Sequence, residues 1–324
     1  MPFNNNSEFG PWTHNGVPDI SPSRLKTFKD CPQKYFLQYV EKLPRKMGAA
    51  ALQGTSLHQV FLEEYLGGGV DNIEFLLEMM ADDLRHRLDT EDPRDYKSGL
   101  PLNQAEKMEA ILDLKVWAEG LLSAVKNGED SYGNPLKLPA TKETEVEACV
   151  ELTLPRLEAK VRLRGFVDLV FEDDSIGDLK LASDYWKAIW TLGKAVTEDQ
   201  PAMYAKMMGT NKFRYLIVDK KKDRTKSAAP PSVRTIDFEV TDKDFDRLMV
   251  DLEYFVETVD LLNDHKNGHF PPRPEYNGQT KATAGNPREQ FCGKLCDFKD
   301  ECWRSEEHTS ELQSHLNLVC RLLL

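Results

Sequence analysis

The sequence has no long hydrophobic run. Across its 324 residues, no apolar stretch approaches the roughly 20 residues that a transmembrane helix needs. Residues 1–10 are polar and lack the basic and then apolar segments of a secretory signal peptide. These absences argue against a membrane-embedded or secreted protein, and we predict a cytoplasmic one.

The sequence has few cysteines, and its basic residues are outnumbered by acidic ones. In a cytoplasmic protein, the six cysteines are expected to be free thiols or metal ligands rather than disulfides. The chain has 54 acidic and 42 basic residues, a net charge of −12, which argues against a non-enzymatic protein that coats DNA with a broad basic surface. An enzyme that binds DNA is still compatible with this charge, because a metal-loaded acidic site changes the local field.

The spacing of apolar residues divides the chain into a helical part and a strand-rich part. Residues 21–127 follow a helical period, and the stretch at about 70–127 has the character of a helical insertion. After a loop at 127–140, apolar and polar residues alternate as in half-buried strands. The predicted strands lie at 146–154, 160–171, 176–182, 213–218 and 233–240, with helices at 198–209 and 242–263. This order predicts an α/β fold with a mixed central sheet flanked by helices.

The two ends of the chain differ from this pattern. Residues 1–20 are predicted to be a loose N-terminal lead-in, and residues 21–303 to form the folded domain. Residues 304–324 read like an in-frame translation of a common sequencing-library adapter, so we interpret them as a non-native tail. The alternative is a genuine C-terminal helix.

An acidic hairpin is the most specific feature of the sequence. Asp168 lies on one predicted strand, and Asp178 and Lys180 lie on the next, two residues apart and therefore on one face. A five-residue connection, 171–175, would place the two aspartates opposite each other. Two carboxylates suit magnesium, which keeps water and phosphate as its other ligands. The simpler alternative is a surface hairpin with ordinary acidic residues.

Four motifs in order give the hairpin a context. A helical G-x-x-x-H pattern covers residues 54–58, the strand aspartate is Asp168, D-x-K covers residues 178–180, and Q-x-x-x-Y covers residues 200–204. In these motifs the chain resembles the RecB-type branch of the PD-(D/E)xK nucleases. That branch includes the CRISPR-associated adaptation nucleases and the nuclease domains of bacterial recombination helicase–nucleases. The resemblance covers about residues 21–303 and implies a restriction-endonuclease-like core.

The resemblance also implies roles for the motif residues. Position by position, the implied metal ligands are His58, Asp168, Asp178 and the main-chain carbonyl of Leu179. Lys180 would be catalytic. Gln200 and Tyr204, four apart on one helix face, would orient Lys180 or contact DNA, or could instead be ordinary surface and core residues. Pro201 fits only a first helical turn, which predicts a helix start near Glu198.

The cysteines at the two ends of the domain form a second candidate site. Cys292, Cys296 and Cys302 are close in sequence within the end segment 288–303, whereas Cys31 is distant and is followed by Pro32. Four thiolates suit either an iron–sulfur cluster or zinc. The resemblance implies a [4Fe–4S] cluster that ties the chain ends together, although three residues, not the usual two, separate Cys292 from Cys296. Free thiols remain the simpler alternative, and Cys149 is interpreted as a bystander.

Together these features predict a Mg²⁺- or Mn²⁺-dependent deoxyribonuclease. We expect an exonuclease that acts on single-stranded DNA or DNA ends in recombination, repair or phage DNA processing, with a helicase as a possible class of partner. The alternatives are a non-catalytic DNA-binding module of the same fold and a zinc-stabilised adaptor. Intact Asp168, Asp178 and Lys180 argue against a non-catalytic relative.

Overall fold

After two short strands, a helical part of the chain precedes a strand-rich part, as the sequence predicts. A computed structural model of the protein describes residues 13–14, 17–44, 47–91, 93–94, 100–130, 133–183, 191–220, 232–264 and 298. Within these ranges, strands β1 to β7 span Thr13–His14, Val17–Ile20, Thr141–Leu154, Ala159–Phe171, Ile176–Ser183, Lys212–Lys220 and Val233–Glu239. Helices α1 to α8 span Pro22–Asp30, Pro32–Tyr35, Ala49–His58, Ile73–Thr90, Gln104–Asn127, Leu192–Ala195, Asp199–Met208 and Asp242–Asp264. Helices α2 and α3 continue as wider π-helices over Phe36–Val40 and Gln59–Gly67.

Local sequence signals set several helix ends. Helix α1 begins after Ser21, whose side chain accepts a hydrogen bond from the backbone N–H of Arg24, with proline in the first turn. Helix α5 starts at a capping box between Asn103 and Glu106 and ends at Gly128, whose φ of 73° is left-handed. None of the described helices combines the length and apolar composition that crossing a bilayer requires.

The strands form one mixed sheet, which confirms the predicted α/β architecture. Its order is β1-β2-β4-β5-β6-β7, and β3 pairs with β4 outside this path. The pairs β2–β4 and β5–β6 are parallel, and the remaining pairs are antiparallel. The β4–β5 pairing joins Leu169 to Gly177 and Val170 to Ile176. Continued by one residue, this register places Asp168 opposite Asp178, as predicted.

Strand β4 shares one of its edges between two neighbours. Strand β3 pairs with β4 from Ala159 to Phe171, so β2 and β5 must both use the other edge. Strand β2 pairs there at Arg162 and Leu163, and β5 pairs at Leu169 and Val170. In the described part of the sheet, residues 164–168 therefore have no strand partner on this edge. We call this opening the β4 fork.

Two hydrophobic cores cover the two faces of the sheet. On β6, Phe213, Tyr215 and Ile217 belong to a first core with α1, α7 and α8. The intervening Leu216 and Val218 belong to a second core, which includes α3 and the inserted helices α4 and α5. Because side chains alternate along a strand, these two sets mark opposite faces. The sheet is therefore buried on both sides, as in a three-layer α/β fold.

Some sequence predictions need correction. The predicted lead-in is wrong for Val17–Ile20, which forms strand β2 and pairs with β4. Helix α3, which carries the G-x-x-x-H pattern, begins at Ala49, five residues before Gly54. Five buried apolar residues of β4 divide between the two cores. The first core takes Val161, Leu163 and Val167, and the second takes Leu169 and Phe171.

Candidate active site

The side chain of Asp168 fills the β4 fork. Its Oδ2 accepts a hydrogen bond from the backbone N–H of Leu179 at 2.9 Å. That N–H belongs to β5, so the carboxylate bridges the two strands beyond the last β4–β5 pair. Asp168 is buried, and burial followed by repulsion from Asp178 raises its pKa well above the ordinary value. The fork therefore holds a carboxylate whose negative charge lacks full compensation.

His58, the last residue of α3, meets the fork from the second-core side. Its Nε2 lies 2.8 Å from the carbonyl oxygen of Leu179, and its Nδ1 lies 3.5 Å from Oδ2 of Asp168. Burial lowers the pKa of His58, which favours the neutral ring. A neutral imidazole that donates from Nε2 keeps a lone pair on Nδ1. Two electron-rich atoms then face each other, an arrangement that a cation would stabilise.

Asp178 and Lys180 lie next to the fork on β5 and form a polar relay with α7. Lys180 Nζ is 2.6 Å from Oδ2 of Asp178 and donates to Oε1 of Gln200 at 3.0 Å. The amide nitrogen of Gln200 donates to Oδ1 of Asp178. Each of the three side chains therefore contacts the other two. We call this set the Asp178–Lys180–Gln200 relay.

Tyr204 supports the relay from one helical turn further along α7. Burial and the charge of Asp178 raise the pKa of Tyr204, while its hydrogen bond to Gln200 lowers it, and the net shift is upward. The hydroxyl therefore stays protonated near neutral pH. Its ring packs against Gly165, where an added Cβ would lie only 2.9 Å from Cε1 of the ring. Of the two roles predicted for Gln200 and Tyr204, the contacts favour orientation of the lysine.

Glu145 is the site residue that sequence reasoning missed. It lies on β3 between Thr144 and Val146, which pair with Leu169 and Val167, and so faces Asp168 across the strands. Its φ of 51° is left-handed, which is unusual for a residue other than glycine. In the sequence, Glu145 is one of several alternating glutamates that resemble a solvated strand face. No signal in a single sequence distinguishes it from Glu143 or Glu147.

His58, Glu145 and Asp168 together could hold a metal ion. One ligand atom from each lies within 4.8 Å of the others, and the described residues contain no other such group. Burial, followed by the charge of Glu63, raises the pKa of Glu145. An imidazole nitrogen and two carboxylates, crowded and short of positive charge, fit a divalent cation. Asp178, also predicted as a ligand, contacts Lys180 and Gln200.

The cysteine site is only partly visible. Cys31 joins α1 to α2 and is half-buried, and its Sγ accepts a hydrogen bond from the backbone N–H of Lys34 at 3.4 Å. Cys292, Cys296 and Cys302 lie outside the described residues, as does the tail 304–324. Cys149 is exposed on β3.

The chain shares little sequence identity with the solved structures it resembles, but it matches a family model. No curated protein matches the chain. A solved protein from Eubacterium rectale, named as an exonuclease, shares 13% sequence identity at a TM-score of 0.47, over 85% of this chain and 93% of that one. The solved protein SSO0001 shares 16% identity at a TM-score of 0.32, over 61% of this chain and 69% of that one. The family model described as the PD-(D/E)XK nuclease superfamily matches residues 19–303, which is most of the chain, and the protein therefore belongs to this superfamily of nucleases.

Proposed function

We propose that the protein is a divalent-metal-dependent deoxyribonuclease whose active site is the β4 fork together with the relay. The observation that carries this proposal is the contact network itself. The Lys180 ammonium, the Asp178 carboxylate and the Gln200 amide group contact one another. They lie directly beside a histidine and two further carboxylates. Such a combination of cation-binding ligands with a positioned lysine suits phosphodiester hydrolysis.

The proposed metal ligands are His58, Asp168, Asp178 and the carbonyl of Leu179. We add Glu145, because it lies close to His58 and Asp168. The donor set is hard and anionic, which favours Mg²⁺ or Mn²⁺. When bound, such an ion polarises the scissile phosphate and lowers the pKa of a coordinated water. The raised pKa of Asp168 supports this assignment, because a nearby cation would offset the burial and the repulsion from Asp178 that now disfavour its charged form.

The side chains of the relay have separate tasks in this proposal. Lys180 presents its ammonium group where negative charge develops on the phosphate or on the attacking oxygen. Asp178 holds that ammonium through the 2.6 Å ion pair. Gln200 binds both partners, and its two contacts fix the orientation of its amide group. The relay is therefore organised before substrate arrives, which reduces the reorganisation needed at the transition state.

We further propose that the substrate is single-stranded DNA or a DNA end and that the enzyme works in recombination, repair or phage DNA processing, with a helicase as a possible partner. The order of the four sequence motifs, which resembles that of the RecB-type nucleases, motivates this choice of substrate. With an end-labelled strand, removal of nucleotides from the terminus can be told apart from cleavage at internal sites. A circular single strand tests whether an end is required.

A nuclease assay with matched variants tests the proposed function. We expect Asp178→Ala and Lys180→Ala each to lower cleavage of end-labelled DNA with Mn²⁺ or Mg²⁺ by at least about a hundredfold. The control is Lys115→Ala, which removes an ion pair with Glu78 on the surface of α4 and α5. Cleavage at the wild-type rate by either active-site variant would refute the assignment. DNA binding without cleavage by the wild type would instead favour the non-catalytic module.

We also propose that Cys31, Cys292, Cys296 and Cys302 bind a [4Fe–4S] cluster, with zinc as the competing metal. One feature of the fold supports contact between the chain ends. Phe298, which lies between Cys296 and Cys302 in sequence, is buried in the first core. The same core contains Phe28 and Tyr35, which flank Cys31. A cluster there would contribute no catalytic group to the fork and would instead couple metal binding to folding.

A further inference from the structure

The first turn of α7 is held by charged side chains from two other helices. Lys29 of α1 donates to both carboxylate oxygens of Asp199, at 3.1 and 2.9 Å. The same ammonium donates to Oδ2 of Asp251 on α8 at 2.7 Å. Lys29, Asp199 and Asp251 thus link three helices through one cation. We call this group the α7 bracket.

Ion pairs, rather than an N-cap hydrogen bond, hold the start of α7. Glu198, the residue before α7, makes no capping hydrogen bond with its side chain. Lys26 of α1 approaches Glu198 at 3.5 Å, and Arg247 of α8 donates to the carbonyl of Val196 at 2.9 Å. Side chains of α1 and α8 therefore anchor this segment from both sides.

Asp199 is unusually buried for an acidic residue. Only 8% of it is exposed, and a carboxylate this deeply buried is costly unless it is paired. Removing Lys29 would leave that charge without its main partner, and the first turn of α7 would have to move to rehydrate it. Such a movement would carry Gln200 with it, because Gln200 is the next residue.

Gln200 is also the residue through which α7 reaches the relay. Its Oε1 accepts from Lys180 at 3.0 Å and its amide nitrogen donates to Asp178. Hydrogen bonds of this kind weaken steeply with small changes in distance and angle. A displacement of the first turn of α7 would therefore also disturb the position of the Lys180 ammonium group.

We propose that Lys29 is a positioning residue for the reaction, acting through Asp199 on Gln200 and so on Lys180. This inference rests on the proposed function and adds to it a residue outside the family motifs. Lys29 touches none of the relay side chains. Its effect on catalysis must therefore depend on the presence of Gln200, whereas a purely stabilising ion pair would show no such dependence.

A double-mutant cycle tests the inference by steady-state cleavage kinetics, well below the melting temperature of each variant. We expect Lys29→Ala to lower kcat about tenfold or more with little change in KM. In a Gln200→Ala background the same change should lower kcat less than twofold, because the contact it supports is already gone. Lys29→Arg should restore most of the kcat, since arginine can bind the same two carboxylates.

Two further variants keep the test decisive. Asp251→Asn removes one arm of the bracket at a less buried position and should lower kcat in the same sense, so it replaces Lys29→Ala in the cycle if that variant does not fold. Lys107→Ala, the matched control, removes a 2.8 Å ion pair between α5 and Asp89 of α4 and should leave kcat unchanged. An equal loss of kcat with and without Gln200 would overturn the inference while leaving the nuclease assignment standing. Absence of cleavage by the wild type would overturn both.

Discussion

At the scale of single residues, Asp168 is a proposed functional residue that is expected to lower the stability of the fold. Its pKa is raised in the folded protein, above all by burial. A group with a raised pKa contributes stability at low pH and loses that contribution as the pH rises through its folded-state pKa. At neutral pH without metal, Asp168 is therefore expected to make the folded state less stable than it is at low pH.

Asp168→Asn should consequently raise the melting temperature of the metal-free protein at pH 7 to 8 by at least about 2 °C. The new amide keeps an oxygen to accept from the backbone N–H of Leu179 and gains a donor that can face Nδ1 of His58. The same variant should lose cleavage and most of the stabilisation that Mn²⁺ gives to the wild type. Thermal melts in EDTA and in Mn²⁺ provide the measurement.

A neighbouring acid is the control for this prediction. Glu147 lies two residues from Glu145 on β3 and forms an exposed ion pair with Arg164. Glu147→Gln should change the melting temperature little and preserve the response to Mn²⁺. If metal-free Asp168→Asn melted below the wild type, the proposed electrostatic strain in the fork would be wrong.

At the scale of secondary structure elements, the spacing between β4 and α7 depends on Gly165. A Cβ at this position would lie 2.9 Å from the ring of Tyr204 and 3.5 Å from Pro22. The ring is buried and cannot move aside freely. Gly165→Ala should therefore push α7 away from the sheet and lower the free energy of unfolding by about 1–3 kcal/mol, with a loss of kcat through Gln200.

A second glycine gives the opposite expectation and so serves as the control. Gly54 lies inside α3, and an added Cβ there meets no atom within 4 Å. Gly54→Ala should increase the free energy of unfolding by up to about 1 kcal/mol, because alanine is the better helix former. Urea denaturation of both variants tests these two expectations. Equal changes of the same sign in the free energy of unfolding would show that the close β4–α7 contact does not restrict residue 165 to glycine.

At the scale of the whole molecule, the proposed cluster would connect distant parts of the chain. Cys31 and Cys292 are far apart in sequence, and joining such points has an entropic cost that grows only slowly with separation. Metal–thiolate bonds that form in the folded state offset that cost and stabilise the fold. Phe298 lies in the first core, which also contains residues of α1 and α2.

Cys31→Ala should therefore lose iron and inorganic sulfide and melt at a lower temperature than the wild type. Protein purified without oxygen should be brown and should bleach with dithionite if the cluster is present, whereas a zinc site would be colourless. Cys149→Ala is the matched control, since Cys149 is exposed on β3, and it should keep full iron content. Stoichiometric zinc, or the absence of both metals in folded protein, would contradict the cluster.

Local sequence determined most of the elements and half of the site. Local patterns of apolar residues mark β3 to β7: alternation in β3 and a continuous apolar run in β6. The connection before Ile176 sets the β4–β5 register. Asp168, Asp178 and Lys180 follow from that register because all three lie on the hairpin. Pro201 likewise placed the start of α7 one residue from Glu198, since proline is tolerated only in the first turn.

The tertiary structure decided what depends on contacts between distant residues. Glu145 faces Asp168 only because a left-handed backbone at one position of β3 meets the β4 fork, and a single glutamate among several carries no local sign of this. Val17–Ile20 became a strand because β4 leaves part of its edge open to it. Lys29, Asp199 and Asp251 meet because three helices pack on one core. Sequence patterns report the neighbours of a residue along the chain, whereas these contacts depend on how whole elements pack.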